Sequence, residues 1–312
     1  NQLDAEWGFS PATRGVASSI IDASVQLLEV GLQTETSGFE FEEEPLNLPC
    51  QFLTFKGKDK TELELHYLVH GSAVELNAEH ALQLNTFFTI HDEKWNELER
   101  NFQQFQQTVN ASPEQWANSG FVIHEQYPIP SGTVHMEFQV VDDIGNRRAV
   151  YKRDLAIPNY NQKKLMLSDV LITQEIDPTG SATHQRKGIP LEPHMFYSFS
   201  RDAFIGIYFE IYNLQLDTAG KTFYDVSFTL QRSGTDDPER KKTVVGFVKN
   251  LFAADQRQVT SQFENEGRTP DDVIYMNLQF QDRDKGEYDL IIDVTDKVSG
   301  ETSQKRARIT LF

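Results

Sequence analysis

Val134, Met136, Phe138 and Val140 occupy every second position, with His135, Glu137 and Gln139 between them. An extended chain sends successive side chains to opposite faces, so this alternation predicts a strand with one face on a core. The polar run Asp142-Asp143-Ile144-Gly145-Asn146 follows, and Leu155 and Ile157 lie on the return. Gly and Asn tolerate positive φ, so the segment reads as a β-hairpin. Leu63, Leu65 and Tyr67 alternate in the same way with Glu62, Glu64 and His66, predicting a second one-sided strand.

The hairpin pattern occurs twice. An offset of 154 carries Gly132, Val134, Met136, Phe138, Val140, Asp142, Leu155 and Ile157 onto Gly286, Tyr288, Leu290, Ile292, Val294, Asp296, Ile309 and Leu311. Upstream, an offset of 144 places Leu63, Leu65 and Tyr67 on Ile207, Phe209 and Ile211, so about ten extra residues separate the early and late strands of the second copy. Tandem copies of one β unit account for both offsets. The expected fold is all-β: two tandem antiparallel immunoglobulin-like β-sandwich domains, over 45–158 and 163–312, after a short N-terminal lead-in over 1–44. The boundary falls in the polar, Pro-containing run from Ile157 to Lys164. Met136, Phe138, Leu290 and Ile292 belong to the buried face, and Val141 and Ile291 fall on the other.

Some segments stay open. Trp95, Leu98, Phe102 and Phe105 recur at helical spacing behind Asp92-Glu93, and Thr243–Phe252 is a short apolar run, so 95–105 and 243–252 read as helix or strand alike. In the lead-in, Phe39 and Phe41 alternate with glutamates as in an edge strand.

A chain of 312 residues has room for about two such domains. Its net charge of −18 repels nucleic-acid and anionic-lipid phosphates, and no apolar stretch is long enough for a membrane span. Cys50 is the only cysteine, which leaves no internal disulfide, and its apolar neighbours predict a buried or half-buried thiol. The chain opens at Asn1 without an initiator Met or an apolar leader, as expected of a trimmed or mature product.

No Gly-x-Ser-x-Gly elbow, phosphate-binding Gly-rich loop or His-Glu-x-x-His helix is present, so no catalytic residue and no cofactor is assigned. His66 and His70 would pair on a helix, but on a strand they stand about 13 Å apart, too far to share one metal. Asp282, Asp284 and Glu287 resemble part of a calcium loop; the missing remaining ligands favour an acidic surface turn. Aromatic residues crowd from Phe196 to Tyr212, and Tyr197, Tyr208 and Tyr212 are the binding candidates if these rings form an exposed platform instead of a core. Ser168-Asp169 reads as a pair bonding backbone at a strand kink, and Glu210 as an outward residue, the alternative being an inward acid paired with an arginine.

The runs Leu165–Ile172, Ile189–Pro193, Ile207–Leu214 and Gly220–Tyr224 resemble the C-terminal β region of the bacterial GWxTD-domain proteins. Pro45–Pro49 and Phe55–Leu65 are similar to the module preceding it, so the resemblance covers about 45–312. The Gly-Trp-x-Thr-Asp motif itself is absent, and Trp7-Gly8 has the order reversed, so the defining domain is expected upstream or lost. The resemblance implies an exported bacterial protein, periplasmic, cell-surface or secreted, and carries over no catalytic residue. The expected role is therefore a non-enzymatic structural or protein-interaction module of a cell-envelope or extracellular assembly, with other proteins or its own copies as partners. The alternative is a carbohydrate-binding accessory module whose partner is a polysaccharide.

Overall fold

In the computed structural model, which describes residues 44–180, 182, 184–234, 258–280 and 283–312, the one-sided strands stack into sandwiches. Seven strands make the first: Cys50–Lys56, Thr61–His70, Ala81–Asp92, Glu97–Thr108, Gly120–Ile129, Gly132–Asp142 and Arg147–Ile157. The first, second and fifth form one antiparallel sheet in chain order, and the other sheet runs seventh, sixth, third, fourth, with the two-residue strand Glu44–Pro45 added beside the seventh. Leu63, Leu65 and Tyr67 on the smaller sheet meet Phe88, Met136 and Phe138 on the larger, which is the packing that period-two burial requires.

The second sandwich repeats this order. Leu171–Thr173, Phe204–Tyr212 and Asp272–Gln279 form its smaller sheet. Thr302–Leu311, Gly286–Asp296, Thr222–Arg232 and Gln258–Gly267 neighbour one another in its larger sheet. Gly132 faces Ile157 across one hairpin and Gly286 faces Leu311 across the other. Leaving aside two-residue edge strands, of which Ser198–Phe199 runs parallel to Thr302–Leu311, three antiparallel strands face four in each sandwich, an immunoglobulin-like arrangement, and the chain is nearly all-β. At the turns Asn146 (φ 50°) and its counterpart Gly300 (φ 76°) take the left-handed conformation, which Asn and Gly reach at least cost. Met136, Phe138, Leu290 and Ile292 are buried, and so are Val141 and Ile291, which the alternation places on the opposite face.

From Glu97 on, the 95–105 segment is a strand. Trp95 sits in a left-handed turn closed by Asp92, whose Oδ1 accepts the N–H groups of Lys94 and Asn96, and Glu97–Thr108 then runs back along Ala81–Asp92. Leu98 and Phe102 share one exposed face, while Phe105 points to the first core, so the helix-like spacing joins residues from both faces. The one α-helix among the described residues is Pro113–Ala117, capped by Ser112 and Gln115. The strand expected around Phe39 and Phe41 and the 243–252 segment lie outside the described residues.

A third apolar cluster joins the sandwiches. Leu53 and Phe55 of the first pack on Leu171, Ile176, Leu191 and Tyr208 of the second. Polar groups extend the junction: Asp169 Oδ2 accepts from Thr54 N–H (2.8 Å) and Thr54 Oγ1 (2.6 Å), and the Tyr212 hydroxyl accepts from Lys56 N–H (2.9 Å). Ser168 and Asp169 thus bond backbone, Ser168 on Glu210 and Asp169 on the neighbouring sandwich.

Candidate functional site

Beside this junction the chain buries a dense group of ionisable side chains. Glu64 and His66 are two apart on Thr61–His70 and therefore share a face. His124 stands directly opposite His66 on Gly120–Ile129. The second sandwich supplies His184 and Arg186, also two apart, from the short His184–Arg186 strand that pairs with Ile189–Leu191. Glu210, on the Phe204–Tyr212 strand of its smaller sheet, turns its carboxylate to Arg186 of this hairpin.

Arg186 organises the acids. Its Nε donates to Glu210 Oε1 (2.5 Å), and its Nη1 donates to Glu62 Oε1 (2.5 Å) and to Glu64 Oε1. The guanidinium lies 3.7 Å over the Phe55 ring centroid, an arrangement that suits a planar cation. Burial opposes the Arg186 charge, but the carboxylates of Glu64, Glu210 and Glu62 outweigh it and raise its basicity further. Glu210 is therefore an inward acid paired with an arginine and not the outward residue expected. Its burial is tolerable because Arg186, Tyr208 and Tyr212 all donate to it.

The imidazoles converge on the other oxygen of Glu64. Its Oε2 lies 3.3 Å from His66 Nε2, 3.6 Å from His184 Nε2 and 3.7 Å from His124 Nε2. One ligand-capable atom from each of the four residues falls within 4.8 Å of the rest. Glu64 and His66 are wholly buried and His184 nearly so, while His124 is about a quarter exposed at its side chain (23%). Burial opposes ionisation of Glu64, yet His124, His66 and the Arg186 charge hold its carboxyl well below the usual range. Burial pushes His66 down, and burial followed by the neighbouring His124 pushes His184 down to about 3. A buried carboxylate facing three imidazole nitrogens is the ligand chemistry of transition metals.

His70 is elsewhere, bonding Ser72 beyond the strand end, so the histidine that matters to His66 is its cross-strand neighbour. His124, His184 and Arg186 were not marked by the sequence. Glu64-x-His66 was the available signal, since residues two apart on a strand share a face; from Leu63 to Tyr67 that strand is buried on both faces, not on the one expected, because the second sandwich covers its polar side.

The aromatic platform is not formed. Tyr208 and Tyr212 are buried with their hydroxyls on Glu210, and burial together with the Glu210 charge raises both phenols. Tyr197 is half-buried against the second core in a left-handed conformation. After the exposed Phe204, the Phe204–Tyr212 strand is buried on both faces, with Phe209 in the second core and Tyr208 in the junction cluster. Of the calcium candidates, Asp284 is exposed just before Gly286–Asp296, Glu287 is exposed on that strand opposite Thr310, and Asp282 lies outside the described residues.

No protein-family model matches the chain, and no curated protein is similar to it. Among solved structures, the native conformation of the Escherichia coli alpha-2-macroglobulin matches with 12% identity and a TM-score of 0.24, over 89% of this chain and 15% of that one. The trypsin-activated form from Escherichia coli matches with 12% identity and a TM-score of 0.23, over 88% of this chain and 16% of that one. The chain thus spans about a sixth of the proteins it matches. Likeness at this level defines neither a shared family nor a shared activity.

Proposed function

We propose that this chain is a non-enzymatic structural or protein-interaction module of an exported bacterial protein, working in a cell-envelope or extracellular assembly. The observation that carries this reading is the burial of its richest polar chemistry. Glu64, His66, His184, Arg186 and Glu210 are all buried where the two sandwiches meet, and there they hold neighbouring elements to one another. A network of this kind suits a fixed spacer better than a turnover site. Export and a bacterial source are supported by the resemblance of 45–312 to the GWxTD-domain proteins.

Partners of such a module meet its outer surface. The Glu97–Thr108 strand pairs on one side with Ala81–Asp92 and has no partner on its other side among the described residues. It carries Leu98 and Phe102 outward beside Phe87, a surface suited to an added strand. The carbohydrate reading loses its main support with Tyr208 and Tyr212 buried.

Spin labels test the fixed junction. With Cys50→Ser as background, cysteines placed at the exposed positions Gln83 and Thr302 of the full chain report one distance between the sandwiches. A single narrow distribution is the expected result. A broad or two-peaked distribution means a hinge and overturns the spacer.

A further inference from the structure

We propose that Glu64, His66, His124 and His184 form a closed four-ligand site for one divalent transition-metal ion, zinc being the probe, which ties the second sandwich to the first.

The first argument is geometric. Zinc bonds of about 2.0–2.2 Å to nitrogen and oxygen place tetrahedral ligand atoms roughly 3.3–3.6 Å apart. The three Nε2 atoms lie 3.3, 3.6 and 3.7 Å from Glu64 Oε2, so the carboxylate already has the separations of a ligand set. Small rotations of the rings would complete it.

The second argument concerns satisfaction. The Nε2 atoms of His124 and His184 are buried without a hydrogen-bond partner. As N–H donors, three imidazoles cannot all reach one oxygen at normal hydrogen-bond length; as lone pairs, they would repel the carboxylate they face. A cation among them removes both difficulties. Glu64 Oε1, meanwhile, accepts from Gln126 Nε2 (2.9 Å) and from Arg186, the outer support that orients a ligating carboxylate.

The third argument is charge. Glu62, Glu64 and Glu210 surround the single Arg186 guanidinium, so the enclosed site is short of positive charge. A divalent ion supplies it. Four protein ligands leave no open coordination position, which is the form of a structural and not a catalytic centre. Because His184 comes from the far sandwich, binding would be coupled to closure of the junction.

The test uses the full chain, stripped with a chelator and titrated with zinc by calorimetry, with melting followed in parallel. The expected result is one zinc per chain, a raised melting temperature, and affinity reduced at least about a hundredfold in His124→Ala and in His184→Gln. His135→Ala, at a surface histidine outside the cluster, should bind as the parent does. Absence of saturable binding overturns the proposal, as does binding that the His124 and His184 variants leave unchanged. Should those variants fail to fold, X-ray absorption of the zinc-loaded parent decides: three imidazoles and one carboxylate oxygen support the site, and any other ligand set overturns it.

Discussion

Asp142 and Asp296, 154 residues apart, hold the same place in the two sandwiches and fold the following turn around a buried carboxylate. Asp142 Oδ1 accepts the N–H groups of Ile144 and Gly145, and its Oδ2 that of Glu75. Asp296 Oδ1 accepts those of Val298 and Ser299, and its Oδ2 that of Gln215. Each acid therefore closes its hairpin and also pins a distant loop.

Removing either carboxylate strands several backbone donors at once. Asp142→Ala and Asp296→Ala are each expected to lose about 1–3 kcal/mol of stability in urea titrations. A loss under about 0.5 kcal/mol would mean that the turns hold without them.

Arg186 offers a sharper case, because its loss leaves Glu62, Glu64 and Glu210 facing one another without a cation. Arg186→Met should cost about 3–5 kcal/mol, the usual penalty for leaving a buried charge unpaired. Arg186→Lys should recover little of that, since an ammonium lacks the planar fork and the stacking on Phe55. Denaturant midpoints of the two variants check this, and a Lys variant as stable as the parent would refute the fork geometry.

The repeat was legible because Val134–Val140 and Tyr288–Val294 each keep every second side chain apolar and in a sandwich core, even where Asp289 and Ile291 on the other face are also covered. The Glu97–Thr108 strand was not legible, because its exposed edge position removes the pressure that keeps apolar residues on one face. The junction was hidden for a different reason. Arg186 lies on a three-residue strand too short to show a period, and its partners Glu62 and Glu64 are more than 120 positions away in the chain. Likewise His124 and His184 meet His66 only through strand register and domain packing, and spacing along the chain reports neither.

Gly206 tests how tightly the second smaller sheet closes. It faces Thr173 across the pair of strands, and a Cβ added there would stand 2.1 Å from both Gln174 O and Thr173 Oγ1. Backbone must move to admit it, so Gly206→Ala should destabilise by about 1–3 kcal/mol despite the better strand propensity of alanine. Gly188 has nothing within 4 Å of such a Cβ but a φ of +80°, so Gly188→Ala should cost about 1 kcal/mol, from backbone strain alone. Parallel thermal melts would separate the two causes, and equal losses would argue that crowding at Gly206 is relieved.

His194 gives the chain an acid-sensitive point outside the cluster. Its ring packs on Phe199 (centroids 4.2 Å apart) with Nδ1 buried and unpartnered, and burial holds the imidazole down at about 4 against an ordinary 6.5. Between those values the unfolded chain binds the proton and the folded chain does not, so stability is full above about pH 6.5 and falls as pH drops towards 4. The shift corresponds to at most about 3 kcal/mol, less to the extent that the partly exposed ring is solvated. In His194→Gln the difference in unfolding free energy between pH 7 and pH 4.5 should shrink accordingly, although other groups keep it from vanishing. An unchanged difference would show that the ring takes up its proton in the folded state at little cost.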